Sequence, residues 1–424
     1  MASRDVLVIG LGYVGLPLAV QAARAGFLVT GFDTSAGINA GLNAGRSHVG
    51  DVPAAEVGQA RARGFRATAD EASIGPQDVI VICVPTPLSP ADGPDLAAVR
   101  AAAQTAGRLL RPGTLVSLES TTYPGTTDEV VRPLLEKASG LAAGVDFALV
   151  FSPERIDPGN AEFGLANTPK IVGGITPACT EAAAGFYGRI CEQVVRAASA
   201  REAEMAKLLE NTYRHVNIAL VNEMAIFCRE LGVDLHDAIR CAATKPFGYQ
   251  PFYPGPGVGG HCIPIDPNYL SYKVRTLGYP FRFVELAAEI NGRMPGYVTE
   301  RAADLLNRHS QPVNGARVLL LGVTYKKNVA DQRESPARPI ARKLRARGAQ
   351  VAYHDPYVPA WQVDGQDIPR AADLQPAVAF ADLVILLQAH RDYDLPRIAR
   401  TARLLLDTRG AVPKIPAAPH VETL

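Results

Sequence analysis

The stretch VLVIGLGYVGLPLAV, residues 6–20, decides the fold of this chain. It reads as a strand, a tight glycine turn and the start of a helix. Gly10, Gly12 and Gly15 satisfy G-x-G-x-x-G in the strand-to-helix setting where that pattern has mechanical meaning. The first glycine permits the turn, the second lets backbone approach a pyrophosphate, and the third lets the helix pack closely on the strand. The helix amino end then faces the anion. Next, FLVTGFD supplies a second strand ending in Asp33, 18 residues beyond Gly15. A carboxylate there hydrogen-bonds the ribose hydroxyls of NAD and repels the extra phosphate of NADP. The competing reading is a glycine-rich turn in an α/β protein that lost its cofactor, and the well-placed acid weighs against it.

Three further strands are expected in DVIVICVPTP (78–87), TLVSLES (114–120) and FALVFSPER (147–155). Their nearly continuous apolar runs suit a parallel sheet covered on both faces. Ligands bind beyond the carboxyl ends of such strands, which points to Pro85 and Thr86, to Ser120 and Thr121, and to Glu154. Each is open to the plainer reading of a polar residue closing a strand. From Ala316 the pattern returns in weaker form: ARVLLLGVTY, AQVAYHDP ending near Asp355, ADLVILLQAH and RLLLDTRG. Gly322 is followed by VTYKKNVADQRE in place of a glycine motif, so Lys326, Lys327 and Arg333 stand where close-approach glycines would be. Cations suit phosphates or a carboxylate, although a solvated basic loop has the same composition.

Between the two units, residues 201–232 carry apolar positions at helical spacing over an unusual length. Lys207 and Asn211 lie one turn apart on a single face of that helix and can donate hydrogen bonds to one oxygen. Two solvent-facing polar residues would show the same spacing. His215 continues the line and reads as structural. The fold expected is therefore α/β: two Rossmann-like, doubly wound parallel-sheet domains joined by a long central helix and a helical middle domain. The boundaries fall at 1–198, 199–308 and 309–424.

Composition narrows the function. The 424 residues include 43 Lys plus Arg against 42 Asp plus Glu, a formal net charge of +1. That balance gives no electrostatic footprint for nucleic acid or an anionic membrane. The opening apolar run is too short for a signal peptide, and no stretch has the length of a membrane helix. Six scattered cysteines without a CxxC read as reduced thiols of a cytoplasmic protein, and no Cys, His and carboxylate cluster has metal-ligand spacing, so no metal is expected. One loop stands out. In GPGVGGHCIPID (255–266) four glycines and two prolines crowd around His261, Cys262 and Asp266. Taken alone, Cys262 is either a buried structural thiol or a held nucleophile.

Together these pieces resemble the nucleotide-sugar dehydrogenase family. The likeness is carried in family order by GLGYVGLPLA, VPTP, LESTTYPG, FSPER, EMAKLLENTYR, GPGVGGHCIPID, EINGRMP and GVTYKKNVADQRESP, and it spans nearly the whole chain. It implies an NAD-binding domain, a helical middle and a UDP-binding domain, and four-electron oxidation of carbon 6 of a UDP-sugar with two NAD molecules. An aldehyde loses no second hydride until a nucleophile adds to it; a thiolate can do so, giving a thiohemiacetal and then a thioester. By position Cys262 matches that nucleophile. Lys207 and Asn211 match the oxyanion donors, Asp266 and Glu154 the acids that handle protons and water, and Thr121 a residue near the nicotinamide. Tyr13 and Val14, within the first motif, join Gly10, Gly12, Gly15, Asp33, Pro85, Thr86 and Ser120 as NAD contacts. Arg333 matches a cofactor-binding arginine. Glu154, Arg155, Lys207, Asn211, Tyr253, Gly257 and Lys326 match the UDP-sugar site.

Two departures refine the resemblance. The glucose branch commonly has GGSC followed by a lysine before the aspartate, whereas His261 and Ile265 stand here. FYPGPGVGGHCIPIDP is similar to the branch acting on UDP-N-acetylhexosamines, above all UDP-N-acetylglucosamine; the mannosamine, galactosamine and glucose sugars stay as alternatives. Gly37 and Ile38 replace a basic residue the family often has after the acid at Asp33, which bears on NAD affinity. The resemblance also implies a homodimer or larger homo-oligomer. Two rivals stand further off. A two-electron hydroxyacid dehydrogenase would need no GGHC loop, and a non-catalytic sensor would have lost one or more of Lys207, Asn211, Cys262 and Asp266. The final VPKIPAAPHVETL reads as a loose tail.

Overall fold

The computed structural model describes residues 5–89, 93–157, 159–160, 162–260, 263–413 and 420–424. His261 and Cys262, the expected nucleophile, lie outside the described residues. The chain forms two compact units, Met1–Glu210 with Asn268–Pro280, and Asn211–Pro267 with Phe281–Leu424.

The first unit is built on eight strands: β1 (Asp5–Ile9), β2 (Leu28–Phe32), β3 (Arg66–Thr68), β4 (Val79–Ile82), β5 (Leu115–Leu118), β6 (Ala148–Phe151), β7 (Lys170–Gly174) and β8 (Val194–Arg196). Their order is β3-β2-β1-β4-β5-β6-β7-β8. The first six reproduce the strand order of a dinucleotide-binding sheet. Every residue of β4 and β5 is buried, which is why their sequences are apolar without alternation. The strands are shorter than the apolar runs that announce them, because each run continues into the loop that leaves the sheet. Pairing is parallel from β3 to β6, but β7 runs antiparallel to β6. A parallel neighbour requires a crossover, usually a helix. The described residues between β6 and β7 form no helix, and the chain turns back beside the strand it has left.

The glycine turn is fixed by close approach. Gly10 has φ +91°, and a Cβ there would lie 2.7 Å from the Cys83 carbonyl oxygen; one on Gly15 would lie 1.8 Å from the Gly10 oxygen. The helix Gly15–Arg24 can then bury Leu16, Leu18, Ala19, Ala22 and Ala23 against the sheet.

The second unit holds five parallel strands in the order β10-β9-β13-β14-β15: β9 (Arg317–Leu321), β10 (Gln350–His354), β13 (Leu383–Leu386), β14 (Leu405–Asp407) and β15 (Val421–Thr423). A small hairpin of β11 (Gln362–Val363) and β12 (Gln366–Asp367) stands apart. The echo seen in the sequence extends to single hydrogen bonds. Leu11 N–H donates to Asp33 Oδ2 at 3.0 Å and Ser35 N–H to Oδ1 at 2.9 Å. In the second unit Val323 N–H donates to Asp355 Oδ2 at 2.7 Å and Tyr357 N–H to Oδ1 at 2.8 Å. The difference lies beside the acid. Asp355 is fully buried, with His390 Nε2 3.1 Å from Oδ2, so no ribose can reach it.

The end of the chain corrects the expectation of a loose tail. Residues 421–423 extend the sheet as β15, and Leu424 is buried. Glu422 meets Arg301 at 2.8 Å and Arg308 at 2.5 Å. Arg301 is itself 5% exposed, so the acid on β15 neutralises a cation of the helix Arg282–Arg308 and thereby ties the strand down. Nothing local in VPKIPAAPHVETL announces that partner.

Candidate active site

In the first unit the expected residues follow directly on the carboxyl ends of parallel strands. Gly10 follows β1, Asp33 follows β2, Pro85 and Thr86 follow β4, Ser120 and Thr121 follow β5, and Glu154 and Arg155 follow β6. Parallel direction therefore brings to one edge of the sheet residues scattered over almost 150 positions. Gly12 has open space where a Cβ would stand, Val14 is half-buried and Tyr13 exposed, so the turn presents backbone and not bulk. Asp33 both closes the turn and is half-buried. This is a cradle that fits the pyrophosphate and ribose of NAD. Ser120 Oγ donates to the Val84 carbonyl at 2.7 Å, linking the loops after β4 and β5.

Lys207 is carried on the helix Ala200–Glu230 and is buried. Its ammonium donates to the Glu154 carbonyl oxygen, so helix and β6 loop are joined through two candidate residues. An ammonium has three protons, which leaves two for other oxygens. The Glu154 carboxylate accepts from Ile156 N–H through Oε1. Arg155 pairs with Glu210 at 2.7 Å and donates to the Pro169 carbonyl. Thr121, half-buried, opens a segment anchored by Glu204: the Glu204 carboxylate accepts from Gly125 N–H at 2.6 Å and from the Thr127 N–H and hydroxyl at 2.9 and 2.7 Å.

The second unit assembles the other members. Asn211 donates from its side-chain amide to Asp266 Oδ2 at 2.6 Å, and both are buried. Asp266 opens the helix Asp266–Arg275. The glycine loop is held at both ends. Gly255 N–H donates to Asn222 Oδ1 at 2.9 Å, and the Asn222 amide in turn donates to Asn291 Oδ1 at 2.8 Å. Gly260 N–H donates to the Arg333 carbonyl at 3.0 Å. A Cβ on Gly259 would meet the Glu334 oxygen at 2.5 Å, and one on Gly260 the Tyr325 ring at 2.7 Å. The glycines just before Cys262 therefore permit contact with the cationic loop that carries Lys326 and Arg333. Gly257 needs its freedom too, at φ +129°. The Arg333 guanidinium grips Asp331 of its own loop at 3.0 Å from Nε. Tyr253 is half exposed and stacks on His236, ring centroids 6.3 Å apart.

One cation escaped the reading of the sequence. Arg409 follows β14, donates from Nε to the Leu387 carbonyl at 2.7 Å, and brings Nη1 within 2.7 Å of where a Cβ on Gly255 would stand. Burial pushes its guanidinium down to about 10, with Asp407 opposing. The signal was available: aligned by strand pairing, Leu118 of β5 corresponds to Asp407 of β14, which puts Arg409 in the place of Ser120. Of the described cysteines, 83, 179, 191, 228 and 241 are free thiols.

Residues 4–191 match the UDP-glucose/GDP-mannose dehydrogenase family, NAD binding domain; residues 201–293 match its central domain and residues 319–414 its UDP binding domain. A UDP-N-acetyl-D-glucosamine 6-dehydrogenase of Pseudomonas aeruginosa is 39% identical over 361 residues, 85% of this chain and 84% of its own. The chain belongs to the UDP-glucose/GDP-mannose dehydrogenase family. An NDP-N-acetyl-D-galactosaminuronic acid dehydrogenase of Ralstonia solanacearum is 34% identical, covering 96% of both chains. The solved UDP-D-ManNAc dehydrogenase of Pyrococcus horikoshii superposes with a TM-score of 0.89 at 31% identity, over 99% of each chain. As a member of this family the chain is an NAD-dependent UDP-sugar dehydrogenase, an oxidoreductase with NAD as cofactor. Among the described residues no helix is long and apolar enough to cross a membrane.

Proposed function

We propose that the enzyme oxidises carbon 6 of a UDP-N-acetylhexosamine, UDP-N-acetylglucosamine before others, to the uronic acid through a thioester on Cys262. The observation that carries this reading is the glycine loop. Its last two described glycines are pressed against the Tyr325–Glu334 segment, immediately before the cysteine, in a chain 39% and 34% identical to two acetamido-sugar relatives. When bound, NAD supplies the two-electron acceptor for each of the two oxidations.

The chain's own residues do the rest. The Cys262 thiolate adds to the aldehyde carbon, a C–S bond forms, and the carbonyl electron pair moves to oxygen. Lys207 and Asn211 donate hydrogen bonds to that oxygen, a role for preorganised donors. After the second oxidation, water adds to the thioester and the C–S bond breaks, returning the thiolate. Glu154 takes the proton of that water, Thr121 orients it, and Asp266, which accepts from the Asn211 amide, handles protons beside the oxyanion donors. Tyr253, Gly257, Lys326, Arg155 and the newly found Arg409 bind the UDP-sugar, and Arg333 serves the cofactor.

The same reading keeps three functional segments, 1–198, 199–308 and 309–424. It also takes the enzyme as a homodimer or larger; exposed Leu209, Tyr213, Leu220 and Phe227 along the central helix support a partner there. The test is the moles of NADH formed per mole of UDP-N-acetylglucosamine consumed at completion. A ratio near two is expected, falling to one or less for Cys262→Ser. A ratio near one in the natural enzyme would refute the thioester route. Turnover of UDP-N-acetylmannosamine or another UDP-hexose in its place would reassign the sugar.

A further inference from the structure

Lys170 is a buried charge that no step above uses. It opens β7 with its side chain 3% exposed, and its ammonium donates to Glu119 Oε2 at 2.9 Å. On its other side Glu154 Oε2 lies 3.7 Å away. That oxygen is buried and has no hydrogen-bond partner among the described residues, while Oε1 is held by Ile156 N–H. Glu119 is better served: its Oε1 accepts from the Tyr187 hydroxyl at 2.6 Å, and that hydroxyl lies 2.8 Å from Ser117 Oγ. One ammonium is thus shared between a carboxylate with other donors and a carboxylate whose second oxygen has, among the described residues, no hydrogen bond and that charge 3.7 Å away.

The remaining groups around Glu154 do not replace the cation. Burial pushes the Cys83 thiol up and the Cys191 thiol up to about 11, so both stay neutral near pH 7. Burial also pushes Tyr187 up, which keeps it a neutral donor, and Lys207 spends a proton on the Glu154 carbonyl and not its carboxylate. Glu119 is raised by burial against the pull of Lys170. An uncompensated carboxylate in such surroundings would take up a proton and cease to be a base.

We propose that Lys170 is a positioning residue of the hydrolytic step: shared between Glu119 and Glu154, its ammonium fixes the orientation of the Glu154 carboxylate and holds a positive charge beside the oxygen that takes a proton from water. The proposal rests on the role given above to Glu154. It concerns the hydrolytic half-reaction, so binding of NAD and UDP-sugar should be left alone.

The test compares Lys170→Met, Lys170→Arg, Glu119→Gln and Glu154→Gln in the full-length enzyme, measuring KM and the pH profile of kcat with the UDP-hexose it turns over. Lys170→Met should lower kcat by at most about 10²-fold, since the base is weakened and not removed. The acid limb of the profile should move up by about one pH unit, with both KM values unchanged and the limb restored by Lys170→Arg. Glu119→Gln should move the limb the other way, because the ammonium is then no longer shared. Should Lys170→Met fail to fold, the downward shift in Glu119→Gln still decides the matter. The proposal is overturned if neither variant moves a limb that Glu154→Gln abolishes. If Glu154→Gln keeps both kcat and the limb, it is the role of Glu154 that fails, and the proposal goes with it by a separate route.

Discussion

Replacing Glu204 by glutamine tests how the segment after Thr121 is tied to the helix that carries Lys207. Glu204 lies three residues before Lys207, is fully buried, and accepts three hydrogen bonds from Gly125 and Thr127. Burial pushes its carboxyl from 4.5 up to about 7, against the pull of those donors. A carboxyl raised in this way holds its proton in the folded chain where the unfolded chain has released it. Stability should therefore decline as pH rises from about 4.5 to about 7 and level off above. The 2.5-unit difference corresponds to about 3 kcal/mol at 1.36 kcal/mol per unit. Glu204→Gln cannot titrate, and its amide nitrogen turns a donor toward N–H groups, leaving one buried donor unpaired at a cost of about 1–3 kcal/mol. The variant should be the less stable protein at pH 5 and should close the gap by pH 8. In calorimetric melting of both proteins across that range, the Tm difference should change by about 6–12 °C for a unit of this size. Two Tm curves running parallel from pH 4.5 to 8 would refute the reasoning, because the carboxyl would then have the same pKa folded and unfolded.

Two further outcomes concern the second unit. Arg409→Met should raise KM for the UDP-sugar about tenfold or more, the worth of a charge-assisted hydrogen bond, while leaving KM for NAD unchanged; equal rises in both would show a general disturbance of the fold. Deleting residues 420–424 removes β15 and the Glu422 carboxylate, leaving the buried Arg301 without its counter-charge at a cost of about 3–5 kcal/mol. Glu422→Gln should reproduce much of that loss with β15 still in place, and an unchanged melting curve for either protein would exclude the ion pair as its anchor.

The two glycine-to-acid units were legible from residue order because their determinants are local. A strand buried on both faces must be apolar throughout, as VIVI of β4 and LVIL of β13 are. A turn in which a Cβ on Gly10 would lie 2.7 Å from a carbonyl oxygen admits no side chain. Candidate residues at strand ends were legible for the same reason, since parallel direction gathers them at one edge whatever lies between. The resemblance of eight ordered motifs then gave roles to residues that spacing alone left open.

Other features had no local signature. The reversal of β7 against β6 depends on a connection that lacks a crossover, not on the composition of KIVGG. The terminal VET became a strand because Glu422 finds a buried arginine 121 residues away. Lys170 and Glu119 are 51 residues apart, and neither sequence neighbourhood betrays that one neutralises the other. The echo of TLVSLES in RLLLDTRG aligns Arg409 with Ser120, but only folding sets its guanidinium beside Gly255. Conformational constraints and burial patterns act within a turn or a strand, so sequence by itself determined the two sheets and the strand-end residues. Charge pairing and edge-strand direction act between segments that meet only after folding, so tertiary structure alone decided the support around Glu154 and the closing strand.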